Sequence, residues 1–144
     1  MASEIATALI TASGAIALAG ASYWFTKKRE REAELRKEKL EHYKEFAASL
    51  SGIISGEGTP EGQRAFARAC NKLNLVAPQP VLAALQEFQQ EIKTSNPGRS
   101  DEKHNELISK LFLEIRKDLN VSPEDSPQTF KVRLWASGAS RDEL

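Results

Sequence analysis

The sequence predicts an all-α protein: a single N-terminal transmembrane helix continuing into a charged stalk, followed by a small helical bundle and a short extended C-terminal tail. Three observations carry that prediction. Residues Ile5 to Phe25 form an uncharged, mostly apolar run, and Lys27, Lys28, Arg29 and Arg31 follow at once. The stretch from Thr26 to Lys44 is dense in Lys, Arg and Glu and contains no Gly or Pro. Beyond it, apolar residues recur at helical spacing in segments separated by Gly, Pro and Asn. The expected organisation is an anchor over 1–26, a stalk and bundle over 27–120, and a linker and tail over 121–144.

The apolar run of 21 residues rises about 31 Å as a helix, close to the thickness of a bilayer's hydrocarbon core. Tyr23 and Trp24 sit at its end, where amphipathic aromatic rings favour the headgroup region. Lys27, Lys28, Arg29 and Arg31 can reach anionic headgroups from just beyond it. Glu4 is the only charged side chain before the run, so the positive-inside rule places the N-terminus outside and the C-terminal part in the cytoplasm. Two other readings compete. Ala17-Leu18-Ala19 resembles a signal-peptide cleavage site, but the basic n-region is missing and the charge lies on the wrong side. An Ala-rich run can also pack as a buried helix, against which the aromatic and basic flank argues. Small residues recur every fourth position, as Thr7, Thr11, Ala15 and Ala19 in one column and Ser13, Ala17 and Ala21 in another. Such columns let helix backbones approach closely in lipid, which points to self-association.

The stalk consists of strong helix formers with little apolar face until about Arg36, the pattern of a solvent-bridging helix. A stripe of Leu40, Tyr43, Ala47, Leu50 and Ile54 then begins, with Phe46 and Ile53 beside it. Gly52 weakens the last turns, and Ser55-Gly56-Glu57-Gly58 is expected to end the helix. Thr59 before Pro60 is an N-cap with proline in the first helical position. The helix it opens is expected to bury Phe66, Ala69, Cys70, Leu73 and Val76. After Ala77-Pro78-Gln79-Pro80 the next helix carries Val81, Leu82, Leu85, Phe88 and Ile92 inward. Asn96-Pro97-Gly98 signals a turn. Ser100 or Asp101 caps a last helix with the stripe Leu107, Ile108, Leu111, Phe112, Ile115 and Leu119.

After Asn120 the period changes. Ser122 to Gln128 reads as linker, and Thr129 to Trp135 alternates, with Phe130, Val132 and Leu134 on one side and Lys131 and Arg133 on the other. A lone strand must pair, pack on the helices or touch the membrane. Phe130, Val132, Leu134 and Trp135 are therefore the candidate partner-binding tail. Ala136 to Leu144 read as a frayed end. The terminal Arg141-Asp-Glu-Leu144 resembles an endoplasmic-reticulum retrieval signal, which conflicts with a cytoplasmic C-terminus and reads as coincidence.

Composition excludes more than it identifies. The formal net charge is zero, so no bulk attraction to nucleic acid is expected, and the interleaved glutamates cancel most of the stalk's basic field. One cysteine, Cys70, rules out an internal disulfide and agrees with a reducing compartment. It sits on an apolar stripe and reads as a small buried hydrophobe rather than a reactive thiol. Ser55-Gly-Glu-Gly-Thr-Pro lacks the lysine and preceding strand of a phosphate-binding loop. His42 between Glu38 and Glu45, with His104, Asp101 and Glu106 elsewhere, has the chemistry of a metal site but the spacing of no specific motif. No catalytic residue, metal or cofactor is expected.

The segments FTKKREREAELRKEKLEHYKEF, NKLNLVAPQPV, HNELISKLFLEIRKDL and FKVRLW together resemble a group of small uncharacterised bacterial single-pass membrane proteins. The resemblance spans nearly the whole chain. It implies an N-terminal anchor, a charged helical stalk and a cytoplasmic helical domain at a bacterial inner membrane, and it carries over no functional residues. The function expected is that of a non-enzymatic interaction or scaffold module. Its partners would be membrane lipid, further copies of itself and a cytoplasmic protein. The alternatives are an oligomerising membrane-disrupting effector of the phage-defence or toxin type, with Thr7, Thr11 and Ser13 as polar lining, and a metal-dependent enzyme.

Overall fold

The computed structural model describes residues 1–54 and 58–134. The expected turn at Ser55 to Glu57, Trp135 and everything after it lie outside the described residues. Among the described residues four α-helices follow one another: α1 (Ala2–Ser49), α2 (Pro60–Val76), α3 (Gln79–Ile92) and α4 (Asp101–Asp118), with a 3₁₀ turn at Leu50–Ile53. The chain divides into two compact units, Met1–Glu38 and Lys39–Leu144.

From Ala2 onward the first unit lies within α1. Every residue of it is exposed to its surroundings. No proline interrupts the helix, and several of its hydroxyls are turned back onto its own backbone. Thr7, Thr11 and Ser13 each donate to the carbonyl four residues earlier at 2.8 Å. Thr26 does the same to Ser22 at 3.0 Å. The charged stretch continues the helix without a break, as its residue types dictate.

The second unit has a core to which all four helices contribute: Tyr43, Phe46 and Leu50; Phe66, Ala69, Cys70 and Leu73; Val81, Ala84, Leu85 and Phe88; Leu107, Ile108, Leu111 and Ile115. Aromatic rings thread through it. Phe46 meets Phe66 at 5.9 Å between centroids, Phe66 meets Phe88 at 6.5 Å, and Phe88 meets His104 edge-on at 5.0 Å. The α1 stripe differs from the sequence expectation by one column. Phe46 is fully buried and Ile53 packs on the core, whereas Leu40 is 37% exposed and Ala47 is exposed. Both columns have helical spacing; the bulk of Phe46, filling the space beside Phe66, decides between them.

Gly52 and Gly62 explain how the first two helices of this unit meet. A Cβ on Gly52 would lie 2.5 Å from the Gly62 Cα, and one on Gly62 would lie 2.6 Å from the Gly52 Cα. The 3₁₀ turn and the first turn of α2 therefore pack backbone to backbone, which only two glycines allow. Thr59 holds that turn in place, its hydroxyl accepting the Gly62 N–H at 3.0 Å. Ser100, rather than Asp101, caps α4, accepting the Lys103 N–H at 3.2 Å. At the other end the Asn120 N–H bonds the Lys117 carbonyl and the Val121 N–H bonds the Arg116 carbonyl. With Asn120 at φ 52°, this is a Schellman stop with asparagine in the usual glycine position.

Candidate functional site

Two places hold the residues that the sequence singles out. The first is the N-terminal part of α1. It contains the one helix segment among the described residues long and apolar enough to cross a membrane, with a mean hydropathy of 1.7 and none of that window buried. Ile5, Leu9, Ile10, Ile16 and Leu18 all stand exposed. In water such a face would be costly; in lipid it is the favourable arrangement, since every backbone bond is closed within the helix.

The aromatic and basic residues at the end of this segment interact with one another. Lys27 Nζ lies 6.0 Å from the centre of the Tyr23 ring, and Lys28 Nζ lies 5.5 Å from that of Trp24. Lys27 also pairs with Glu30 at 2.7 Å and Lys28 with Glu32 at 3.9 Å. Arg29 and Arg31 are exposed and have no ion-pair partner among the described residues. Of the small-residue column, Thr7, Thr11 and Ala15 line a shallow groove together with Ala8 and Ala12. Ala19 lies one turn beyond it.

The second place is α4 and the segment folded back on it. Phe130, Val132 and Leu134 are half-buried, and Lys131 and Arg133 between them are exposed. The alternation read from the sequence is thus the alternation of burial. The segment packs on its own helix instead of pairing with another strand. The Val132 N–H donates to the Ser109 hydroxyl at 2.9 Å, and that hydroxyl lies 3.2 Å from the Val132 carbonyl. Leu134 reaches the main core. Arg116 fixes the start of the return, donating Nε to Asp125 Oδ2 and Nη2 to Asp125 Oδ1 at 3.1 Å. Its guanidinium also stands 5.5 Å from the Phe130 ring centre. Hydrogen-bonding to Asp125 holds the Arg116 guanidinium above even its usual basic range.

Sequence reasoning missed three parts of this contact. Leu113 is 7% exposed yet lies outside the main core. With Ser109 four residues earlier it lines the groove between α4 and the tail. The helix thus has two covered faces, and a single-stripe reading finds only one. The extra apolar Leu113 beside the main stripe was the available signal. Nothing local in the sequence couples Ser109 to Val132 or Arg116 to Asp125.

The remaining candidates are placed separately. His42 lies 4.0 Å from Glu45 on α1. His104 packs on Phe88, its Nε2 buried without a hydrogen-bond partner. Among the described residues no three His, Cys, Asp or Glu side chains are grouped to hold a metal ion. Cys70 is buried, and burial pushes its thiol up to about 11, the opposite of what an attacking thiolate needs. No family model, curated protein or solved structure matches this chain.

Proposed function

We propose that this protein is a membrane-anchored, non-enzymatic interaction module. Residues 5–25 would span a bacterial inner membrane with the N-terminus outside, and the helical bundle would hold a partner protein on the cytoplasmic side. The observation that carries the reading is the contrast within α1. Its most apolar window buries nothing, while the same helix, past Lys39, enters a complete protein core. Lipid is the environment that such an exposed window fits. Tyr23 and Trp24, with Lys27, Lys28, Arg29 and Arg31, would mark the cytoplasmic interface. The groove along Thr7, Thr11 and Ala15 suits close approach of a second copy. Since the Thr7, Thr11 and Ser13 hydroxyls already donate to the backbone, they serve packing better than the lining of a water-filled pore.

Purification of the full chain from gently solubilised membranes, with mass determination of the intact complex, tests this. A homo-oligomer or a stoichiometric foreign subunit is expected. Recovery from the aqueous fraction as a monomer would overturn the anchor, and with it the reading.

A further inference from the structure

The docked tail is held along one edge only, by the Val132 N–H donated to the Ser109 hydroxyl, which itself donates to the Asn105 carbonyl at 2.7 Å. Both main-chain groups of Val132 turn towards the Ser109 hydroxyl. In an extended chain the N–H and C=O of one residue share an edge, and those of its neighbours take the other edge. The main-chain groups of Lys131 and Arg133 therefore face away from Ser109. Among the described residues neither makes a backbone hydrogen bond, and neither side chain makes an ion pair. On the opposite side, towards Ser109, a groove of about 660 Å³ runs between the tail and α4.

The charges that stay free around the tail decide what would fit. Glu106 is paired with Lys103 at 2.9 Å, Glu114 with Lys117 at 2.7 Å, and Lys110 with Glu87 at 2.6 Å. These neutralise one another. Among the described residues, Lys131 and Arg133 remain without an ion-pair partner, and so does Glu102 on the helix side. A second copy of the tail, laid antiparallel on the first, would set lysine and arginine directly across from each other, which is unfavourable. Carboxylates at those positions would be favourable.

We propose that the Lys131–Arg133 edge is a strand-addition site for an extended segment of a partner protein, one with carboxylates at alternate positions and an apolar residue between them. The carboxylates lie across from Lys131 and Arg133, and the apolar residue sits on the same face as Val132. Main-chain bonds supply the pairing and the charges choose the partner. The inference rests on the partner-holding function above and names the chemistry of that partner.

The test uses the full chain in phosphatidylcholine nanodiscs and a fluorescent peptide, Thr-Val-Glu-Val-Glu-Val-Thr. Its controls carry lysine for both glutamates, or N-methyl groups on alternate amides. The acidic peptide is expected to bind at least tenfold more tightly than either control and to slow amide exchange in residues 130–134. The double variant Lys131→Glu, Arg133→Glu is expected to reverse the preference to the lysine peptide. Equal binding of the N-methylated peptide would overturn strand addition, and so would an unchanged preference in the double variant or no binding at all. Binding that appears only with anionic lipid in the disc would assign the basic edge to the membrane and equally overturn the proposal. Alkaline extraction of the same preparation reports on the anchor independently, so failure of the edge and failure of the anchor are distinguishable.

Discussion

The two parts of α1 obey opposite rules. Up to Glu38 the helix carries the most apolar window of the chain and buries none of it. From Lys39 it is rich in charge, yet it sends Tyr43 and Phe46 into the core and leads directly to Leu50. In a water-soluble protein the more apolar half would be the buried one. The inversion shows that hydrophobicity alone does not place a helix in a protein core. A core position needs an apolar stripe narrow enough to leave a polar face, and the second part has one. An apolar surface all round needs a solvent of its own kind.

The strongest way to break this comparison is to make the first part polar. Ala15→Arg with Ile16→Arg places two charges near the middle of the window. Each costs about 2.5–3.5 kcal/mol of insertion. The doubly substituted chain is expected to leave the membrane pellet on alkaline extraction, while the bundle's thermal unfolding midpoint stays unchanged. A fall in that midpoint would show that the bundle leans on the anchor.

The complementary experiment damages the second part alone. Gly62→Ala puts a methyl group 2.6 Å from the Gly52 Cα. No rotamer change relieves a backbone contact, so α2 must shift off the 3₁₀ turn. A loss of about 3 kcal/mol is expected, at the upper end for overpacking. Denaturant titration in detergent reads it, and membrane retention is expected to hold. An Ala variant as stable as the parent would mean that the close approach is not required.

A smaller loss sharpens the boundary between the two parts. Lys39 and Tyr43 both bond Asp118, at 2.9 Å and 2.7 Å. Asp118 is the last residue of α4, where its charge opposes the helix dipole. The pair from α1 offsets that conflict. Burial, with the adjacent Asp118 carboxylate, pushes Tyr43 well above the usual tyrosine range. Asp118→Asn keeps the shape and removes the charge. It is expected to cost about 1–2 kcal/mol, limited by the partial exposure of Lys39. A Lys39→Met, Asp118→Asn double variant should lose less than the sum of the two single losses.

These experiments address features that the sequence disclosed unequally. The all-α architecture, the apolar span, the Thr59 cap and the four bundle stripes are written in local periodicity and capping residues. The side-chain alternation of Phe130 to Leu134 was legible too. What that alternation packs against was not, because Ser109 and Val132 are joined by a fold and not by spacing. The choice of Phe46 over Ala47 was equally illegible, since two adjacent columns share one period. Gly52 looked like a weak point in a helix. Only its distance to Gly62 shows it as a contact point, a relation between two turns that periodicity cannot express.

The smallest effect concerns His104, which joins the aromatic chain of the core to the solvent edge of α4. Burial lowers its proton affinity, and the carboxylates of Asp101 and Glu91 oppose that shift without cancelling it. Its buried Nε2 has no acceptor to receive a proton's hydrogen bond. The unfolded chain, with a histidine of ordinary affinity, therefore binds a proton at a higher pH than the folded chain does. The His104 contribution is complete above about pH 6.5 and is lost as the pH falls from there through the lower folded value. Carboxylates elsewhere also titrate in acid, so the informative quantity is a difference. The difference in unfolding free energy between the full chain and His104→Leu, measured in detergent from pH 7.5 to pH 5, should shift in the variant's favour as the pH falls. The variant should lose less stability than the parent over that range, because it has no buried imidazole to protonate. A constant difference would mean that His104 takes up its proton as readily in the core as in the unfolded chain, and that its contact with Phe88 tolerates the charge.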